Sequence, residues 1–102
     1  MNLFRKGRIA ERKVVNRLKE IGFTNIIRTH GSRGPYDIRA RSPSRVKTYI
    51  QVKSGSATIS REEVKRLRKV AKERGGAAAY IHYDGRGKMK WRWLGNWNKK
   101  GE

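Results

Sequence analysis

The chain contains no cysteine, which excludes a disulfide scaffold and any thiolate-bound metal. Acidic side chains are scarce: 8 Asp and Glu stand against 27 Lys and Arg, a formal charge of +19 over 102 residues. Only 35% of the residues are hydrophobic, and no apolar run approaches the roughly 20 residues of a membrane-spanning helix. The opening "MNLFRKGRIAERK" lacks the continuous apolar stretch of a secretory signal. These absences point to a cytoplasmic protein with no membrane partner. Internal repeats, linkers and low-complexity segments are missing too. At this length one modest core is expected, so residues 1–102 should form a single domain with 95–102 as a flexible tail.

A charge of +19 repels itself in a compact state, and a polyanion is what normally screens it. Nucleic acid fits best, because each phosphate neutralised by Lys or Arg releases condensed counterions. That places the chain with the nucleoid.

From Leu3 to Ile21 the apolar positions Ala10, Val14, Leu18 and Ile21 recur at helical spacing, broadened by Val15 and ended at Gly22. The other faces of this helix carry Arg5, Lys6, Arg8, Arg12, Lys13 and Arg17, a basic surface suited to phosphates. "TNIIRTH", "YDIRA" and "KTYIQVKS" read as three strands in an antiparallel meander, separated by the loop "GSRGP" and the turn "SPSR". Ser60 and Glu63 form a capping-box signature that opens a second helix, with Val64, Leu67 and Ala71 as its buried stripe and Gly75 or Gly76 as its stop. "AAAYIHY", the hairpin turn "DGRG" and "KMKWRWL" supply two more strands. The order is α, β, β, β, α, β, β, one sheet layer with helices against it.

Strand alternation sends Gln51 and Lys53 to one face and Ile50 and Val52 to the other. If the "SPSR" turn sets the register that way, Asp37 joins Gln51 and Lys53. Mg²⁺ prefers hard oxygen ligands, commonly one or two carboxylates with retained waters. Phosphodiester hydrolysis asks for such an ion and a nearby cation to stabilise developing charge. Asp37, the Gln51 side-chain oxygen, the Val52 carbonyl and Lys53 meet that description in outline. Glu11, one position off the buried stripe of the first helix, is placed to lean over the same site. His30, just before the loop, could bind phosphate or water, but a strand-end histidine usually does neither; His82 reads as structural.

"AER" in the first helix, then "GSRGPYDIRA", "IQVKS" and the "IS" that opens the second helix resemble, in order and spacing, the PD-(D/E)xK nuclease superfamily. Within it, the archaeal Holliday junction resolvases are the most similar. The resemblance implies an α/β (α+β) fold with a restriction-endonuclease-like αβββαβ core, a mixed central sheet flanked by helices. It also implies a nuclease cofactor, Mg²⁺ or Mn²⁺, a branched or junction DNA partner, and a place in DNA recombination and repair. Position by position, it makes Glu11 the helix acid, Ser32 the loop hydroxyl, Asp37 the principal metal ligand and Lys53 the catalytic lysine. Arg33 in the same loop joins Arg5, Lys6, Arg8, Arg12 and Lys53 as expected contacts to nucleic acid. Gln51 departs from the resolvase pattern, where Glu is usual, and is similar instead to the QxK of Mrr-type restriction endonucleases. One negative charge is thereby removed from the metal site.

A non-catalytic basic protein of nucleoid or ribosomal type would also explain the size and charge, and a nuclease fold inactivated through Gln51 lies between the two. The ordered Asp37, Gln51 and Lys53 set separates them, since a pure binder has no need of it. Resolving a four-way junction takes two cuts, so a resolvase requires a two-fold homodimer. In "KMKWRWLGNW", alternation places Met89, Trp91 and Trp93 on one face as a candidate dimer surface, with Tyr83 and Trp97 as possible extensions.

Overall fold

The structure is a computed structural model that describes residues 3–29 and 34–98, with side chains from residue 7 onward. Ser32, Arg33, His30 and the side chains of Arg5 and Lys6 lie outside the described residues. The elements follow the expected order: α1 Leu3–Glu20, β1 Thr24–Arg28, β2 Ile38–Arg41, β3 Lys47–Ser54, α2 Arg61–Glu73, β4 Ala77–Tyr83 and β5 Met89–Asn96. The five strands form one mixed sheet in the order β1-β2-β3-β4-β5. β1, β2 and β3 make the antiparallel meander, and α2 carries the chain from β3 to the parallel β4. β5 then returns antiparallel beside β4. No described helix is long and apolar enough to cross a membrane.

Alternation along the strands divides the core in two. Ile38, Ala40, Ile50, Val52, Ala79 and Ile81 pack with Ala10, Val14 and Leu18 of α1. Tyr49 and Ala78 face the other way and pack with Leu67 and Ala71 of α2. Ile21 does not close the α1 stripe as its spacing suggested. The helix ends at Glu20, Gly22 turns the chain with φ of 96°, and Phe23 enters the core while Ile21 stays 39% exposed.

The end of the chain also departs from expectation. β5 continues through Asn96, and the Trp97 amide donates to the Gly76 carbonyl at 2.8 Å, so residues 95–97 belong to the fold and not to a flexible tail. A bulge lets Trp93 and Gly95 oppose the consecutive Ala79 and Ala78, which reverses the side on which later residues fall. Trp97 consequently packs on the α2 side, where the Arg68 guanidinium lies 5.6 Å from its ring. Gly95 is required here: its φ is 151°, and a Cβ would run into the Trp97 ring.

Candidate active site

The centre is built by register. β2 and β3 pair with Ile38 opposite Ile50, which places Asp37 one step beyond the head of β2, against the middle of β3. The Asp37 amide donates to the Ile50 carbonyl and its Oδ2 accepts from the Val52 amide, both at 2.8 Å. The residue is therefore clamped by β3 through main chain and side chain together. The Thr29 hydroxyl reaches the Tyr36 and Asp37 carbonyls at 3.0 and 3.2 Å, holding the strand entrance from the β1 side.

Gln51 and Lys53 emerge on the α2 face, as alternation predicts. They meet a residue that the sequence marked only as a helix cap. Glu63, in the first turn of α2, accepts from Lys53 Nζ at 2.7 Å and lies 3.4 Å from Gln51 Nε2, both through Oε2. Its Oε1 accepts from the Ser60 amide at 3.0 Å, while the Ser60 hydroxyl accepts from the Glu63 amide at 3.1 Å. One carboxylate thus closes the capping box and holds the lysine of the site. Tyr80 stands opposite Gln51 on β4, and Lys53 and Glu63 both act on its phenol. Burial first, against a backbone hydrogen bond with Ile59, raises that phenol above its ordinary pKa. His82, read from the sequence as structural, has Nε2 2.8 Å from the Gly55 carbonyl.

The two carboxylates are tuned in opposite directions. Burial raises the Asp37 carboxyl, and the Glu63 charge adds to this; the Val52 amide and the Lys53 charge offset only part. Burial also acts upward on Glu63, but the Lys53 ammonium and the Ser60 amide and hydroxyl outweigh it and hold its carboxyl below the ordinary range. Opposed shifts of neighbouring acids are a signature of functional sites.

Among the described residues, no group of three or more His, Cys, Asp or Glu stands together to hold a metal. The hard oxygens that are assembled are the Asp37 carboxylate, the Gln51 amide oxygen and the Val52 carbonyl, which projects to the same strand edge as the Val52 amide that meets Asp37. Among the described residues no donor reaches Asp37 Oδ1. One carboxylate with neutral oxygens suits a divalent ion that keeps several waters, so the donor set fits Mg²⁺. Glu11 meets Arg28 from the α1 side of the sheet, at 3.4 Å, with Arg28 paired to Ile38 beside Asp37. Arg8, Arg12, Lys13 and Arg17 line the solvent face of α1, all exposed. Met89 and Trp91 pack at the margin of the α1-side core, Trp91 stacks on Trp93 with centroids 5.7 Å apart, and Trp93 remains 54% exposed. Tyr83 is buried in that core and Trp97 lies on the opposite side, so neither extends this face.

The arrangement has known relatives. No curated protein matches the chain in sequence. Among solved structures, Hjc from Archaeoglobus fulgidus, a Holliday junction resolvase from an archaeal hyperthermophile, superposes with a TM-score of 0.72 at 27% identity, over 86% of this chain and 77% of that one. The catalytic-domain model of the Mrr restriction endonucleases matches residues 6–84, a span that runs from α1 through β4 and includes every residue of the centre just described. The chain belongs to this restriction endonuclease family and carries its nuclease fold.

Proposed function

We propose that the protein hydrolyses phosphodiester bonds of DNA with a divalent cation, Mg²⁺ or Mn²⁺, and that its substrate is a branched structure such as a four-way junction, cut by a homodimer. The observation that carries this reading is the convergence of Asp37, Gln51, Lys53 and Glu63 at one strand–helix junction, with Lys53 fixed 2.7 Å from Glu63. A protein that only coats nucleic acid gains nothing from burying a carboxylate and raising its pKa.

Asp37, with Gln51 and the Val52 carbonyl, would hold the ion. When bound, it supplies Lewis-acid stabilisation of the phosphoryl charge and a water of lowered pKa. Lys53 donates toward the non-bridging oxygens of the scissile phosphate and shares the charge that develops there. Glu63 keeps the flexible lysine stem from swinging into solvent, which preserves reactive geometry. Glu11, at the same end of the sheet, and Ser32, carried over from the resemblance alone, complete the set that the family adds. Arg8 and Arg12 on the exposed face of α1, with Arg5, Lys6 and Arg33 carried over from the sequence expectation, contact the phosphates that flank the cut.

Two cuts on opposed strands require two copies. The stacked Trp91 and Trp93 on the edge strand β5, with Met89, provide the apolar surface for that contact. The likeness to the Archaeoglobus fulgidus Holliday junction resolvase supports the junction as substrate. The test is cleavage of a labelled four-way junction and of its linear arms, with and without Mg²⁺, by the wild type and by Lys53→Ala. Metal-dependent paired cuts on the junction, lost in Lys53→Ala, are expected. Equal nicking of linear arms would remove the junction from the proposal. No cleavage with any divalent ion would remove the activity.

A further inference from the structure

α2 covers only part of its face of the sheet. It packs on β3, β4 and β5, which leaves the β1–β2 half of the same face open. There the structure forms a groove of about 420 Å³ whose lining includes Ile27, Arg39, Arg41, Lys47, Tyr49 and Arg74. Arg39 and Arg41 follow Asp37 on the same side of β2, and Lys47 and Tyr49 precede Gln51 and Lys53 on the same side of β3. The groove thus lies on the same face of the sheet as the Asp37–Lys53 centre, next to it along β2 and β3.

Its chemistry is one-sided. Arg41 and Lys47 are directly opposed across the β2–β3 pair, as are Arg39 and Tyr49, and Arg74 extends from the end of α2 over the Tyr49 ring at 5.6 Å. No described lining residue is acidic, and among the described residues Arg39, Arg41 and Lys47 make no ion pair. Like charges directly opposite each other in a sheet are destabilising, and nothing in the described fold relieves the Arg41–Lys47 pair. A bound polyanion would.

We infer that this groove is the track of a nucleic-acid strand leaving the active site, with Arg39, Arg41, Lys47 and Arg74 on its phosphates. The inference rests on the nuclease reading and says where the substrate strand runs. At about 3.3 Å per residue, Arg41 stands roughly 13 Å along β2 from Asp37. Along the axis of B-DNA that is the rise of about four nucleotides of one strand. The contacts are to backbone, so they are independent of sequence.

The test is binding of a labelled duplex and a labelled four-way junction in EDTA, over a range of salt, by the wild type, by Arg41→Gln/Lys47→Gln and by the charge-matched control Lys65→Gln/Lys69→Gln on the exposed surface of α2. Loss of two phosphate contacts should make the slope of log K against log salt shallower by about 2, or about 60-fold weaker binding at 0.1 M salt for an unchanged 1 M intercept. The control should bind within about threefold of the wild type. Equal losses in the two double variants, or none in the groove variant, would overturn the track. Without DNA, removing the opposed pair should leave the melting temperature unchanged or raise it; a lower one contradicts the repulsion on which the inference depends. Wild-type cleavage with Mg²⁺ is assayed alongside. Cleavage without a groove effect refutes the track alone, and a groove effect without cleavage refutes the nuclease reading alone.

Discussion

Glu63 has two jobs that separate substitutions can pull apart. Its Oε1 closes the capping box and its Oε2 holds Lys53. Ser60→Ala removes the hydroxyl that accepts from the Glu63 amide at 3.1 Å, and loss of such a cap costs about 1 kcal/mol. In a domain of this size that lowers the melting temperature by about 4–8 °C, with Lys53 still paired. Glu63→Gln does the reverse. Gln serves at the third helical position of a capping box nearly as well as Glu, but the ion pair is gone. With side chains 24% and 31% exposed, that pair contributes on the order of 1 kcal/mol at most. The larger effect should fall on rate. A lysine displaced by about 1 Å can cost on the order of 10²-fold, so Glu63→Gln should cleave between about 10- and 100-fold more slowly at nearly unchanged DNA affinity. Thermal melting and single-turnover cleavage of both variants check this. If Ser60→Ala slows cleavage as much as Glu63→Gln, or Glu63→Gln cleaves like the wild type, Glu63 is a cap and nothing more.

Asp37→Asn should abolish cleavage without weakening DNA binding, and should raise metal-free stability at neutral pH. The sign follows from the raised carboxyl: the folded state binds its proton more tightly than the unfolded one, so ionisation costs stability as pH rises from about 3.8 through the folded value, and the difference from Asn should vanish in melts below that window. Glu63 behaves oppositely, its contribution being complete above about 4.5 and lost as pH falls through its lowered folded value. Gln51→Glu should shift the Mg²⁺ titration of cleavage to lower concentration and lower the melting temperature without metal, since the new carboxylate would stand 3.4 Å from Glu63; an unchanged titration means that residue 51 does not face the ion. Trp93→Arg, at a side chain 54% exposed, should give a monomer of 11.8 kDa by sedimentation in high salt where the wild type gives a dimer. A wild type that remains monomeric on junction DNA refutes the paired-cut mechanism.

Most of the scaffold was legible in the sequence because each element carries its own signal. Ala10, Val14 and Leu18 repeat at helical spacing, Ser60 and Glu63 announce a helix start, and "KTYIQVKS" alternates as a strand should. Three features were hidden, each for a definite reason. The capping box already accounted for Glu63, so nothing local announced that its second oxygen would meet a lysine ten positions earlier; only the packing of α2 on β3 brings them together. Trp97 shares the parity of Trp91 and Trp93, but the bulge at Gly95 reverses it, and a bulge leaves little trace in a hydrophobic pattern. Arg39, Arg41 and Lys47 carry no motif in the sequence. Their opposition within one groove depends on the register of β2 against β3.

The packing of α2 on β3 also sets a carboxylate beside Gln51. Oε2 of Glu63 lies 3.4 Å from Gln51 Nε2 and 2.7 Å from Lys53 Nζ. The helix thus places next to Lys53 a carboxylate that β3, with Gln at 51, does not carry itself. A Glu at 51 would set two carboxylates against one lysine, next to an Asp37 already raised by burial and by the Glu63 charge. With Gln there, the amide nitrogen faces Glu63 at 3.4 Å and no second charge is added. A carboxylate on a strand is fixed by the sheet, however, whereas this one is carried by the first turn of α2. The geometry of Lys53 is thereby tied to that turn as a whole, and its unwinding, which takes more than the loss of the one Ser60 hydroxyl contact, would loosen the lysine before the sheet itself opens.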